Sequence, residues 1–89
     1  MSKNLISVAI PVYNEGEQIY ENINVIYNIL TDNNINHEFV LVDDGSRDNT
    51  WEELQRLSRN LPNISAFRLS RNFGKEASLC AALESVRGR

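Results

Sequence analysis

The sequence contains one cysteine, one histidine, two prolines and four glycines in 89 residues. A single cysteine, Cys80, excludes an internal disulfide and is typical of a protein from a reducing compartment. No stretch of about 18 apolar residues occurs, so the sequence predicts no membrane-spanning helix. The first residues also lack the basic and apolar segments of a signal peptide. We therefore expect this chain in the cytoplasm.

The common signatures of metal, nucleotide and nucleic-acid sites are absent as well. No glycine pattern matches a phosphate-binding loop or a dinucleotide fingerprint, and one Cys with one His cannot form a zinc site. The formal net charge is −3, which indicates no nucleic-acid-binding surface. Hydrophobic residues make up 42% of the chain, as expected for a globular protein. Its function must therefore be inferred from local motifs.

Three apolar segments alternate with three amphipathic patterns along the chain. The segments at 5–12, 39–42 and 64–69 are rich in Val, Ile, Leu and Phe and predict strands. Apolar residues recur every three or four positions over 19–30, 51–61 and 75–86, which predicts helices. Helical connections join parallel strands through right-handed crossovers. We therefore expect a three-layer, Rossmann-like α/β fold, β-α-β-α-β-α, with the sheet order 3-2-1.

Polar residues at the predicted helix starts have the spacing of helix caps. Asn14 with Glu17, and Thr50 with Glu53, match a capping box, in which residues three apart satisfy free backbone N–H groups. Asp48 is an alternative cap for the second helix. We therefore predict that these residues serve the helix ends.

The apolar pattern also predicts which side chains are buried. Pro11 has no N–H to donate to a sheet, so the first strand should stop pairing there. The third helix is expected to bury Leu79, Cys80, Leu83 and Val86, with Cys80 acting as a small apolar residue. On the first helix the inward face should comprise Ile19, Ile23, Ile26 and Leu30, widened by Val25 and Ile29.

All three strand-to-helix loops should lie at one edge of the parallel sheet, where ligands of open α/β folds bind. The loops at 13–15, 43–46 and 70–75 hold most of the unusual polar residues. An aromatic ring can cover a base, a carboxylate accepts hydrogen bonds from a base or ribose, and basic side chains suit phosphate. The candidate contacts for a nucleoside diphosphate are Tyr13, Glu15, Asp43, Asp44, Arg71 and Lys75.

Each of these residues also has a purely structural interpretation. Tyr13 suits half-buried packing, Glu15 suits the first turn of a helix, and Arg71 suits the solvated surface. Asp44 precedes a glycine, which is common turn chemistry. Asp43 and Asp44 are chemically metal-ligand candidates, but adjacent residues of an extended strand point to opposite faces. Only one of the two carboxylates is therefore expected to face a cleft.

The predicted domain, residues 1–89, has few elements for a stable core, because the buried fraction of the surface rises with size. The first strand is as apolar as a central strand, yet the order 3-2-1 places it at an edge. An exposed apolar edge invites pairing with another chain. We therefore expect the N-terminal part of a larger domain, which alone self-associates through this strand.

Three motifs resemble the start of the family 2 glycosyltransferases, which have the GT-A fold. They are Ser-Val-Ala-Ile-Pro-Val-Tyr-Asn-Glu at 7–15, Val-Asp-Asp-Gly-Ser-Arg-Asp-Asn-Thr at 42–50 and Arg-Asn-Phe-Gly-Lys at 71–75. The motifs have the family's order and spacing and span almost the whole chain. The stretch 70–83 is most similar to the polyprenyl-phosphate branch, which includes dolichol-phosphate mannose synthases and bacterial undecaprenyl-phosphate glucosyltransferases.

The resemblance implies transfer of a hexose from a UDP-sugar or GDP-sugar to a lipid phosphate or a saccharide, as in cell-envelope polysaccharide biosynthesis. The full-length protein would act at the cytoplasmic face of the membrane. Asp43 would meet the base edge with Asp44 nearby, and the Arg71–Lys75 loop would close the pocket near base or phosphate. The residues that would line the base and ribose pocket are Pro11, Val12, Tyr13 and Glu15.

The sequence departs from the family in one large respect. The Asp-x-Asp motif, which in the family holds Mg²⁺ or Mn²⁺ against the diphosphate, does not occur here. The resemblance thus implies a metal for the full-length enzyme, but no catalytic residue, metal ligand or transferase activity within this chain. Two other classes stay open: a nucleotidyltransferase, which usually has a basic, glycine-rich loop after the first strand, and a receiver-like signalling module, which has its acidic pair there.

Overall fold

The computed structural model describes residues 5–87, which form three strands and three helices in the order β-α-β-α-β-α. The elements are β1 (Ile6–Val12), α1 (Ile19–Asp32), β2 (His37–Asp43), α2 (Thr50–Asn60), β3 (Ile64–Arg68) and α3 (Lys75–Arg87). β1 and β3 both pair in parallel with β2, which gives the order β1-β2-β3. This is the predicted order 3-2-1 seen from the opposite edge, so the fold class is confirmed. The expected domain limits, residues 1 and 89, lie outside the described residues.

β2 is the centre of the molecule, because all seven of its residues are buried. Phe39 and Leu41 face a core formed with α1 and α2, whereas Val40 and Val42 face a second core beneath α3. The alternation follows from the two-residue period of a strand. A strand covered on both faces needs an unbroken apolar run, which explains the composition of 39–42.

The larger core lies between the sheet and the first two helices. The residues buried there are Val12, Ile19, Ile23, Phe39, Leu41, Leu54, Leu57 and Ile64. Trp51 and Leu61 pack against it, as the apolar pattern of the second helix predicts. Arg56 connects the two helices at the surface, where its guanidinium lies 3.8 Å from the centre of the Tyr20 ring.

The predicted inward face of α3 is wrong for three of its four residues. Leu79, Cys80 and Leu83 are exposed, whereas Ser78 and Ala82 are fully buried. Val86 does pack against the second core. The small side chains of Ser78 and Ala82 bring the helix close to Val40 and Val42. The apolar pattern instead predicted burial of the larger side chains one position further along, Leu79 and Leu83.

The apolar face of α1 is narrower than its sequence indicates. Ile19 and Ile23 are buried and Leu30 packs against the core. Val25, Ile26 and Ile29 are exposed at 53%, 38% and 55% of their surface, so their predicted inward orientation is wrong. None of the helices described over residues 5–87 is long and apolar enough to cross a bilayer.

β1 continues past Pro11, contrary to the expectation that pairing stops there. Pro11 lies opposite Val42 and Val12 lies opposite Asp43. The ladder then ends with the Asp44 N–H donating to the Val12 carbonyl at 2.8 Å. Proline is tolerated because β1 is an edge strand, where only one side of the strand is paired.

Candidate functional site

Three loops follow the carboxyl ends of the parallel strands and meet at one edge of the sheet. The first loop covers residues 13–18, the second 44–49 and the third 69–74. Backbone N–H groups in such loops have no strand partner and must be satisfied in another way. In this protein, side chains of one loop accept the hydrogen bonds of the next loop.

Asn14 and Ser46 form the first connection between the first and second loops. The Asn14 N–H donates to Ser46 Oγ at 2.8 Å, and the Arg47 N–H donates to Asn14 Oδ1 at 2.9 Å. Asn14 has a φ of 52°, a left-handed conformation that asparagine tolerates better than most residues. Its predicted role as a cap of the first helix is wrong, because α1 begins only at Ile19.

Asp48 and Thr50 form the second connection. The Glu15 N–H donates to Thr50 Oγ1 at 2.9 Å, and the Gly16 N–H donates to Asp48 Oδ2 at 3.1 Å. Asp48 Oδ1 accepts the Thr50 N–H at 3.0 Å and the Thr50 hydroxyl. Asp48 therefore does serve the start of α2, as the sequence allowed. Thr50 is the first residue of that helix and uses its side chain to bind the first loop, so its predicted capping box with Glu53 is wrong.

These contacts change the acidity of Asp48. The hydrogen bond from the Thr50 hydroxyl, followed by those from backbone N–H groups of Gly16 and Thr50, lowers the pKa of this carboxyl below its ordinary value of 3.8. Hydrogen bonds to a carboxylate stabilise its charged form. The junction between the first and second loops therefore prefers an ionised Asp48.

Asp44 connects the second loop to the third. Its side chain is 3% exposed. Oδ1 accepts the Phe73 N–H at 2.8 Å, and Oδ2 accepts the Gly74 N–H and an Asn72 side-chain N–H, each at 3.0 Å. The same Asn72 nitrogen also donates to the Asp44 carbonyl at 3.1 Å. One buried residue thus accepts four hydrogen bonds from the third loop.

Gly45 allows the third loop to approach this closely. It has a φ of +70°, and a Cβ at this position would overlap with the Arg71 carbonyl carbon and lie 2.5 Å from the Asn72 nitrogen. A side chain is excluded both by the left-handed backbone and by the neighbouring main chain. The glycine is therefore required by the contact between the two loops.

Asp43 is fully buried behind the loops. Its Oδ1 accepts the Ser46 N–H at 2.9 Å. Its Oδ2 lies 3.7 Å from Arg68 Nε and has no hydrogen-bond partner among the described residues. The Arg68 guanidinium balances the carboxylate charge while its own side chain is half exposed. The two adjacent aspartates thus have different surroundings, as the strand geometry predicts.

A cleft of about 270 Å³ opens between the first and third loops. It brings together six of the eight residues that the sequence assigns to a nucleotide-sugar site, while Asp43 and Arg71 do not line it. Asn72 and Gly74 do, although the sequence reasoning did not single them out; their position inside the Arg-Asn-Phe-Gly-Lys motif was the available signal. The lining residues are Pro11, Val12, Tyr13, Glu15, Asp44, Asn72, Gly74 and Lys75.

The cleft has an aromatic wall, an acidic side and a basic end. The Tyr13 side chain is 43% exposed, so its ring is available to a planar ligand. Asp44 and Glu15 supply carboxylates, and Lys75 supplies a cation at the start of α3. Arg71 lies outside the cleft, with its guanidinium 4.7 Å from the centre of the Phe73 ring.

The described residues do not fit a metal site. Within 5–87 no group of three His, Cys, Asp or Glu side chains is placed to hold an ion. Both oxygens of Asp44 already accept loop N–H groups, which leaves room for at most one further contact, and Asp43 faces Arg68. A divalent cation needs several free oxygen ligands, so no step is assigned to a metal held by this part of the chain.

A parallel sheet with a polar cleft at the carboxyl ends of its strands is the arrangement in which open α/β proteins bind their ligands. Comparison with known proteins identifies the family. Residues 7–89 match the model of glycosyl transferase family 2, and the chain therefore belongs to this family. The three quoted motifs lie within the matched range, so the resemblance inferred from them is confirmed.

Two similar proteins come from bacteria. The chain is 36% identical to the putative glycosyltransferase CsbB of Bacillus subtilis over 92 residues, covering 99% of this chain and 27% of CsbB. It is 40% identical over 86 residues to the undecaprenyl-phosphate 4-deoxy-4-formamido-L-arabinose transferase of Pseudomonas aeruginosa, covering 96% of this chain and 25% of that protein. The chain thus spans about a quarter of the length of these relatives.

A solved structure shares the fold. The mannosyltransferase PcManGT from Pyrobaculum calidifontis, in complex with GDP-Man and Mn²⁺, superposes with a TM-score of 0.75 and 28% sequence identity. The match covers 90% of this chain and 24% of that protein. The three-stranded unit is therefore similar to one part of a larger glycosyltransferase.

Proposed function

We propose that this chain supplies the nucleoside-binding half of the donor site of a nucleotide-sugar-dependent glycosyltransferase. The observation that carries the proposal is the cleft itself, which gathers Tyr13 and Glu15 from the first loop, Asp44 from the second loop and Lys75 from the start of α3. The Tyr13 ring would cover the base, the carboxylates would accept hydrogen bonds from base and ribose, and Lys75 would meet the phosphates.

The remaining acceptor capacity of Asp44 supports this assignment. A carboxylate has about four lone-pair positions, and loop N–H groups occupy three of them. One position on Oδ1 is left for a ring N–H, which uracil and guanine carry in nucleotides and adenine and cytosine do not. UDP-sugars and GDP-sugars are therefore the proposed donors. Contacts of Asp43 and Arg71 with the nucleotide stay predictions, since neither residue lines the cleft.

The proposed reaction of the full-length protein is transfer of a hexose to a polyprenyl phosphate or a saccharide. The undecaprenyl-phosphate transferase among the relatives supports the lipid acceptor, and such a reaction would take place at the cytoplasmic face of a membrane. The Mn²⁺ of the mannosyltransferase supports a divalent cation in the full-length enzyme. Since the described residues do not fit a metal, this chain alone is proposed to be inactive.

A nucleotide titration tests the donor site. UDP and GDP are added to the ¹⁵N-labelled chain while the amide signals of Tyr13, Asp43, Asp44 and Lys75 are followed. We expect saturable shifts in the millimolar range, since half a pocket forms few contacts. Tyr13→Ala should weaken binding about tenfold, because base stacking contributes roughly 1–3 kcal/mol. Absence of any shift at 10 mM nucleotide would mean a binding free energy weaker than about 3 kcal/mol and would contradict the proposal.

We also propose that the isolated chain self-associates through β1. This edge strand carries Ile6, which is 47% exposed, next to Leu5, which is 52% exposed. Ile6→Lys places a charge at the edge, and such charges prevent strand pairing between molecules. Sedimentation velocity should show dimers for the wild type and a shift toward monomer for Ile6→Lys. A wild type that stays monomeric at high concentration would exclude this mode of association.

A further inference from the structure

Beyond Leu69, which packs against the second core, the third loop, residues 69–74, has little apolar contact with the rest of the protein. Arg71, Asn72 and Phe73 are all exposed, and the Phe73 side chain is 48% exposed. Loops with few buried contacts open easily unless hydrogen bonds hold them. At the start of the loop the Leu69 N–H donates to the Asp43 carbonyl at 2.9 Å. Further along, the four bonds to Asp44 hold residues 72–74 against the end of β2.

The loop determines where one end of the cleft lies. Asn72 and Gly74 line the cleft directly, and Lys75 follows at the first position of α3. The Phe73 and Gly74 amides that bind Asp44 are therefore within two residues of the proposed phosphate contact. Any displacement of these amides from β2 also displaces the Lys75 backbone.

We propose that Asp44 is a positioning residue, whose carboxylate holds the third loop against β2 and thereby places Lys75 for the phosphates of the donor. This inference rests on the proposed function and extends it, because it gives Asp44 a second role beside contact with the base. The buried carboxylate accepts charge-assisted hydrogen bonds, which are stronger than neutral ones. Gly45 allows the approach, and Asp44 provides the attraction.

Asp44→Asn tests the proposal with little change in volume. The variant replaces one acceptor oxygen by an NH₂ group, which then faces an N–H donor of the loop. The amides of Phe73 and Gly74 should exchange with solvent at least about tenfold faster, since bonds to a charged group are worth more than neutral ones. Glu15→Gln is the matched control, because it removes a cleft carboxylate that is not described as binding this loop. Unchanged exchange in Asp44→Asn would overturn the proposal.

Comparison of UDP with uridine separates positioning from base contact. If Asp44 positions Lys75, Asp44→Asn weakens the binding of UDP by a larger factor than the binding of uridine. Lys75→Met then weakens UDP binding less in the Asp44→Asn variant than in the wild type. Equal loss for both ligands, with additive effects of the two substitutions, would show base contact alone and overturn the proposal.

Two further outcomes are distinguishable. If the wild type binds neither UDP nor uridine, the proposed function fails. The positioning of Lys75 for a donor phosphate then fails as well, even when faster amide exchange in Asp44→Asn shows that Asp44 holds the loop. If Asp44→Asn does not fold, Asn72→Ala replaces it, because this variant removes two of the four bonds and keeps the carboxylate. The Phe73 and Gly74 amides should then exchange faster by a smaller factor, and unchanged exchange would again overturn the proposal.

Discussion

Gly45→Ala is the substitution for which the structure predicts the largest effect from the smallest chemical change. One methyl group is added at a residue with a φ of +70°. The new Cβ would overlap with the Arg71 carbonyl carbon and lie 2.5 Å from the Asn72 nitrogen and 2.8 Å from Arg71 Cα. All three neighbours are main-chain atoms, so no flexible side chain can move aside.

The expected loss of stability has two parts. A left-handed conformation costs a non-glycine residue about 1–2 kcal/mol, and forcing extra volume into a packed position costs about 1–3 kcal/mol. Gly45→Ala should therefore lower the free energy of unfolding by about 2–5 kcal/mol. Domains are stable by roughly 0.05–0.15 kcal/mol per residue, so this loss is a large fraction of what an 89-residue chain possesses.

Gly74→Ala is the matched control. Gly74 also has a positive φ, +101°, but no described atom lies within 4 Å of the position of its Cβ. This variant should show the backbone part alone, about 1–2 kcal/mol. Urea unfolding followed by the fluorescence of Trp51, the single tryptophan, measures both variants. A Gly45→Ala protein that is as stable as Gly74→Ala would refute the steric reasoning, and one within about 0.5 kcal/mol of the wild type would refute both parts.

Two further predictions concern the core and the loop junction. Phe39 lies in the fully buried centre of β2, so Phe39→Ala should lower the free energy of unfolding by about 3–5 kcal/mol. Phe67 is 42% exposed, so Phe67→Ala should lower it by under about 1 kcal/mol. Urea unfolding followed by far-UV circular dichroism compares the two variants, and equal losses of stability would contradict the assigned core. Folding lowers the pKa of Asp48, so the ionised carboxylate stabilises the folded protein. This stabilisation is complete at a pH above the ordinary pKa of 3.8, and it is lost as the pH falls through the lower pKa of the folded protein. The stability difference between wild type and Asp48→Asn should thus narrow between pH 6 and about pH 3, and a constant difference would contradict this.

The order of elements and the buried central strand could be predicted because they depend on long, strong patterns. The unbroken apolar run at 39–42 and the two-residue alternation of a strand leave few other solutions. The family could also be predicted, because its three motifs occupy most of the chain. These features depend on local composition and on rules of chain connection, which a sequence displays directly.

The buried face of α3 could not be predicted, since hydrophobicity ranks Leu79 and Leu83 above Ser78 and Ala82. Closeness of approach decides the outcome: small residues let the helix lie near Val40 and Val42. Such a preference depends on the distance between two elements, and distance is a tertiary property.

The roles of the loop residues were harder to predict, because the same side chain can accept a hydrogen bond either from a helix end or from another loop. Asn14 and Thr50 have capping chemistry, and their spacing predicts capping boxes. In the folded protein their oxygens accept N–H groups from residues 33 and 35 positions away in sequence. A sequence contains the acceptor and its chemistry, but only the parallel sheet brings the distant donor to it.

The motif residues consequently fall into two groups with different roles. Asn14, Asp44, Asp48 and Thr50 satisfy backbone N–H groups of neighbouring loops. Tyr13, Glu15 and Lys75 line the cleft; Asp44 lines it too and belongs to both groups. Loops that are already ordered lose less conformational entropy when a ligand binds. Substitutions in the first group should therefore weaken nucleotide binding because they loosen the loops around the cleft. Substitutions in the second group should weaken it because they remove a contact with the ligand. Only substitutions in the first group should change amide exchange in the absence of ligand.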